Sequence, residues 1–90
     1  MKEEKKLIER NIELSTEFSR YLFEHPELEK EIPPGVEIVF LPDFDPELKF
    51  FNLKLGKKLE EDGVKVFYIR IAKLKPKFLS RIEEISIHQV

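Results

Sequence analysis

The sequence predicts a small α/β domain: an N-terminal helix, a right-handed βαβ unit with parallel strands, and a C-terminal strand or tail. Three observations predict it. Residues 5–25 carry apolar side chains at helical spacing, residues 36–41 and 64–74 read as strands apolar on both faces, and residues 46–62 between them read as a helix. That helix would be about 25 Å long at 1.5 Å per residue. Eight strand residues span about 26 Å at 3.3 Å each. The matched lengths let the chain cross over and return parallel, a connection that is almost always right-handed.

The first helix is expected over about 5–25. Leu7, Leu14, Phe18, Tyr21 and Leu22 fall on one stripe, widened by Ile8, Ile12 and Phe23. Asn11 and His25 share that stripe. Pro26 cannot continue the helix, because it lacks the amide and clashes with the preceding turn, but it suits the first turn of a new one. "PELEKEI" is therefore expected to be a short helical turn that "PPG" at 33–35 ends.

Val36 to Leu41 has one polar residue, Glu37, in six positions, the pattern of a strand covered on both sides. Asp45 followed by Pro46 and Glu47 marks a helix start: a capping carboxylate, a proline tolerated at the first position and an acid at the positive end of the dipole. Leu48, Phe51, Leu55 and Leu59 mark the expected buried face of this second helix. Asn52 and Gly56 lie beside that face, while Phe50 and Leu53 point away from it. Gly63 is placed to end the helix in the left-handed conformation. "VKVFYIRIAKL" at 64–74 is the second strand. The extension at 75–90 mixes helical spacing with the strand-like alternation of "EISIHQV" and is read as a strand or an ordered tail.

With 90 residues, the chain has room for one domain with a thin core, which pairing with another copy would help. Charged residues make up 38%, but Lys+Arg 16 against Asp+Glu 18 leaves a net charge of −2, which argues against nucleic acid as a partner. The absence of cysteine excludes disulfides, a thiolate nucleophile and cysteine metal sites. No apolar run approaches the roughly 20 residues of a membrane span, so the protein is expected in the cytoplasm without a membrane partner. Amides are scarce and cysteine and tryptophan absent, while Lys, Glu and Ile are frequent, which suggests a thermophilic source.

The chemistry-bearing candidates are few. In a βαβ unit the loops that follow the strands share one rim, where ligands of open α/β sheets bind. Asp43 and Asp45 follow the first strand and Arg70 lies toward the end of the second. Together they are the candidate site for a small polar ligand or a divalent cation. The competing reading makes Asp45 a helix cap and Asp43 a turn residue. Two carboxylates are few for a calcium or magnesium site, and the identity of any metal stays open. Neither glycine-rich phosphate motif occurs, so no nucleotide cofactor is expected.

Nucleophilic catalysis needs a nucleophile beside a base. Ser15, Ser19, Ser80 and Ser86 lie outside any nucleophile-elbow context, and His25 and His88 are far apart in the chain, so no catalytic residue is assigned. Asn11 and Asn52 stand on apolar stripes and must find hydrogen-bond partners, in each other, in backbone or in a polar pocket. The apolar surplus is the stronger signal. Phe44, Phe50 and Leu53 need cover from the first helix or from a partner, which makes them candidate interface residues.

The stretch "FSRYLFEHPELEKEIPPGVEIVFLPDFDPELKFFNLKLGKKL" resembles a group of small uncharacterised archaeal and bacterial proteins. Their shared features are a helix ending in "YLFEHPE", a proline-glycine turn, a strand and a "DPEL...N" helix start. The resemblance covers about Ile8 to Leu74 and implies that His25, Pro26, Asp45, Pro46 and Asn52 belong to a recurring framework. It implies no catalytic residue. The sequence thus points to a non-enzymatic interaction module, a homodimer or the partner of another small protein, with ligand or metal binding at the rim as the alternative.

Overall fold

The computed structural model describes residues 2–76 and 82–88. Helix α1 runs Lys2–Glu24, a 3-10 helix Pro26–Glu31, strand β1 Glu37–Pro42, helix α2 Pro46–Glu61 and strand β2 Val66–Ile71. The two strands pair in parallel, with Val39 beside Tyr68 and Phe40 beside Ile69. This is the expected helix and βαβ order. β1 has the expected length but is shifted one residue later, to Pro42, and β2 is shorter than the expected 64–74. Residues 77–81 and 89–90 of the expected C-terminal extension lie outside the described residues, and residues 82–88 carry no helix or strand.

Local chemistry explains the boundaries. The Asp45 carboxylate accepts from the Leu48 N–H at 3.2 Å and so caps α2, with Pro46 in its first turn. At the other end Gly63 adopts φ +86°, where its N–H donates to Glu60 and that of Val64 to Leu59. These paired bonds satisfy carbonyls that the helix end leaves open. His25, kept out of the helical region by the following proline, makes no side-chain cap to the 3-10 helix and instead packs its ring on Tyr21, 4.2 Å between centroids.

The helices approach opposite faces of the two-stranded sheet. Phe18 of α1 meets Phe40 of β1 edge to face at 5.4 Å, whereas Tyr68 of β2 lies against Gly56 of α2. Tyr68 is the register partner of Val39, and alternate strand residues point to opposite sides, so Phe40 and Tyr68 face opposite ways. The core gathers where the helices converge beside β1: Leu7, Leu14, Phe40 and Leu48 are buried together, with Phe18, Ile38 and Phe51 packed on them.

α2 is turned slightly from the expected orientation. Its buried line is Leu48, Asn52 and Gly56, while Leu55 is exposed and Leu59 half-buried. The cause is Gly56, where a Cβ would stand 2.5 Å from the Tyr68 hydroxyl oxygen. Without one, the ring sits against the helix backbone and brings that side of α2 onto the sheet.

Candidate functional site

The rim that follows the strands is closed by ion pairs. Asp43 receives Lys49 at 2.9 Å and Arg70 at 2.6 Å. Hydrogen bonds from Arg70 and then Lys49 hold its carboxyl at about 2, below the ordinary 3.8. Asp45 is engaged separately: Arg10 of α1 reaches it at 2.9 Å and Glu47 at 2.6 Å. The structure therefore brings Asp43 and Arg70 together and gives Asp45 to the helix cap and to Arg10. Among the described residues no three His, Cys, Asp or Glu side chains come close enough to hold a metal ion. The carboxylates are neutralised by cations of the same chain, which leaves the rim little electrostatic pull on an external cation.

The two asparagines on the apolar stripes meet. Asn11 donates to the Asn52 Oδ1 at 2.8 Å, Asn52 donates back at 2.7 Å, and the same Asn52 amide donates to the Phe40 carbonyl at 2.8 Å. Asn52 is 2% exposed, and no buried side-chain nitrogen or oxygen among the described residues lacks a partner. The Phe40 carbonyl points to the outer edge of β1. Glu37 and Asp43 donate their N–H groups to Lys65 and Ile71, so odd residues bond β2 and even ones face outward. Asn52 thus caps the outer edge of β1 while Asn11 ties it to α1. Pro42, which has no N–H to offer, blunts the same edge further along.

Above this amide pair lies an open groove of about 450 Å³ between α1 and α2. Its floor is Ile38, Phe40 and Phe51, and its walls are Ile8 and Ile12 from α1 and Leu55 from α2. The wall residues are all exposed. A groove of this kind offers apolar contact with the amide pair at its base, and Glu4 and Ser15 of α1 also line it. A second, smaller groove of about 250 Å³ lies on the α1 side of β2, lined by Phe18, Leu28, Ile32, Phe67 and Ile69.

A family of unknown function (DUF5647) matches residues 6–85. The chain belongs to this family. No curated protein and no solved structure matches it. The DUF5647 region takes in both asparagines, the Asp45 cap, Gly56 and nearly all of the groove wall, so the features described above belong to the matched part of the chain.

Of the expected interface residues in this DUF5647 chain, Phe50 is 65% exposed with the Lys54 ammonium 5.3 Å from its ring centroid. Phe44 is also exposed and Leu53 half-buried. The first helix does not cover Phe50, which answers one question the sequence raised. Arg10 was not singled out by the sequence reading, because its partners stand 35 and 37 residues away. The groove had one signal, the widening of the α1 stripe at Ile8 and Ile12. No helix among the described residues is long and apolar enough to cross a membrane.

Proposed function

We propose that the protein is a non-enzymatic protein-interaction module that works as a homodimer. The observation that carries the reading is its apolar surplus. Among the described residues five hydrophobic side chains are buried, Leu7, Leu14, Val39, Phe40 and Leu48, while Ile8, Ile12, Phe23, Phe44, Phe50, Leu55 and others stay exposed. Scattered exposed apolar residues are ordinary, but here they line one groove from both walls and recur on the outer side of α2. A core this thin gains from burial against a partner, and homodimers with two-fold symmetry are the commonest solution.

The groove between α1 and α2 is the surface best suited to a small protein partner, because its floor and walls are largely apolar and the two amides at its base already satisfy one another. The rim of Asp43, Asp45 and Arg70 supports ligand or metal binding less well, since each charge there has an internal counterpart.

Native mass spectrometry on gently purified protein tests the reading. A dimer that persists on dilution into the low micromolar range is expected. A monomer throughout the micromolar range would overturn it. Two double variants ask whether the contact takes in these surfaces, Ile12→Glu with Leu55→Lys for the groove and Phe50→Glu with Leu53→Lys for the outer side of α2.

A further inference from the structure

The two outer edges of the sheet are not alike. On β1 the edge is blunted by Pro42 and by the Asn52 amide on the Phe40 carbonyl. On β2 the register turns the N–H and C=O groups of Val66, Tyr68 and Arg70 outward, and among the described residues no strand lies beyond them. An edge with unpaired backbone groups and an adjacent apolar groove is a template for an added strand. The smaller groove supplies the apolar part, with Phe67 and Ile69 presented on the α1 side next to Leu28 and Ile32.

The same chain carries a segment with the complementary pattern. Glu84 to His88 alternates polar and apolar, and Ile85 and Ile87 stand 69% and 89% exposed. Ser86 and His88 share the opposite side, 3.2 Å apart. Five extended residues match the length of the open edge.

One register satisfies both surfaces. Laid antiparallel with Ile87 beside Phe67 and Ile85 beside Ile69, the segment puts both isoleucines on the groove side, because paired residues share a face. Phe67 and Ile69 turn their backbone groups toward β1, so these are the non-hydrogen-bonded pairs, in which side chains approach most closely. The same register brings Glu84 opposite Arg70, whose guanidinium is held by Asp43 on one side and is otherwise exposed, and Ser86 opposite Tyr68. A parallel arrangement with the isoleucines in the same groove sets His88 opposite Arg70 and loses the charge match.

We infer that Glu84–His88 of a second copy adds as an antiparallel strand to the outer edge of β2, and that two copies exchange these segments reciprocally. The inference rests on the homodimer reading and names the contact that joins the copies. Among the described residues β2 pairs only with β1, and Glu84–His88 carries no strand, which leaves each copy with one open edge and one unpaired segment. A two-fold axis satisfies both at once, each segment entering the other copy.

Cysteine cross-linking tests the exchange, since the natural chain has no cysteine to interfere. Ile69→Cys and Ile85→Cys protein are mixed and oxidised. Non-hydrogen-bonded antiparallel neighbours bring Cβ atoms close enough for a disulfide, so a mixed dimer should exceed either same-variant dimer severalfold. Phe67→Cys with Ile87→Cys repeats the test in the same register if one variant folds poorly. Ile69→Cys with Ile87→Cys, the parallel register, should cross-link less.

A single chain carrying both Ile69→Cys and Ile85→Cys should bridge between copies. An internal bridge at monomer mass would show the segment folding onto its own β2 and overturn the exchange. A wild-type dimer without the mixed cross-link would overturn the exchange and leave the homodimer standing. A wild-type monomer would remove both.

Discussion

At the scale of single residues, the amide pair between Asn11 and Asn52 is the feature with the sharpest consequence. Replacing Asn52 by Leu strips a bond from the Phe40 carbonyl and leaves Asn11 without its reciprocal partner. An unsatisfied buried polar group costs about 1–3 kcal/mol, so Asn52→Leu should lower unfolding stability in urea by about that amount. The paired change Asn11→Leu with Asn52→Leu should cost less than the sum of the two single changes, because neither amide is then stranded. An increase in stability for Asn52→Leu alone would contradict this account.

Asp43 predicts a pH dependence. Its folded-state carboxyl sits at about 2 instead of the ordinary 3.8, because Arg70 and Lys49 donate to it. A depressed carboxylate stabilises the fold above its unfolded value, and that contribution fades as the pH falls from about 4 to about 2. Wild type should therefore lose its advantage over Asp43→Asn across that window, as read by thermal unfolding at each pH. A constant difference down to pH 2 would place the stabilisation elsewhere. The Asp45 cap was legible in the sequence because Asp-Pro-Glu is a local signal with a local cause. Arg10 was not, because only the packed fold brings a guanidinium from α1 to the start of α2.

At the scale of elements, sequence patterning carried the order of helices and strands and the parallel pairing, since matched lengths and doubly apolar strands allow few alternatives. The Gly63 stop was equally readable, as its positive φ serves a general need of helix ends. The rotation of α2 was not. Leu55 belongs to the apolar stripe by spacing, yet it lies exposed on the groove wall because Gly56 admits the Tyr68 ring.

That close approach gives a prediction at this scale. Ala at position 56 gains about 1 kcal/mol in helix propensity over Gly. Its Cβ would meet the Tyr68 hydroxyl oxygen at 2.5 Å and a ring carbon at 2.7 Å, and overpacking of this kind typically costs about 1–3 kcal/mol. The ring cannot yield without disturbing the hydrogen bond from its hydroxyl to Glu60. Gly56→Ala should therefore be destabilising in the wild type and stabilising in a Tyr68→Ala background, measured by denaturant unfolding of all four proteins. A gain in both backgrounds would remove Tyr68 as the reason for glycine.

For the whole molecule, the decisive imbalance is between a small buried core and a large exposed apolar inventory. The sequence hinted at it through surplus apolar positions and short length, but it could not say which positions α1 would cover. The fold answers this with a groove on the β1 side, an open edge on the β2 side and Phe50 left facing outward. The two sheet edges differ. The β1 edge is blunted by side-chain chemistry within one copy, whereas the β2 edge has a matching segment in the C-terminal part of the chain.

The proposed homodimer would double the mass of the species in solution. Sedimentation equilibrium over the micromolar range tests it most directly, because it reads mass without assuming a shape. The account predicts a single species at twice the 10.8 kDa chain mass, dissociating only on strong dilution. A species that stays at 10.8 kDa as concentration rises through the micromolar range would contradict it.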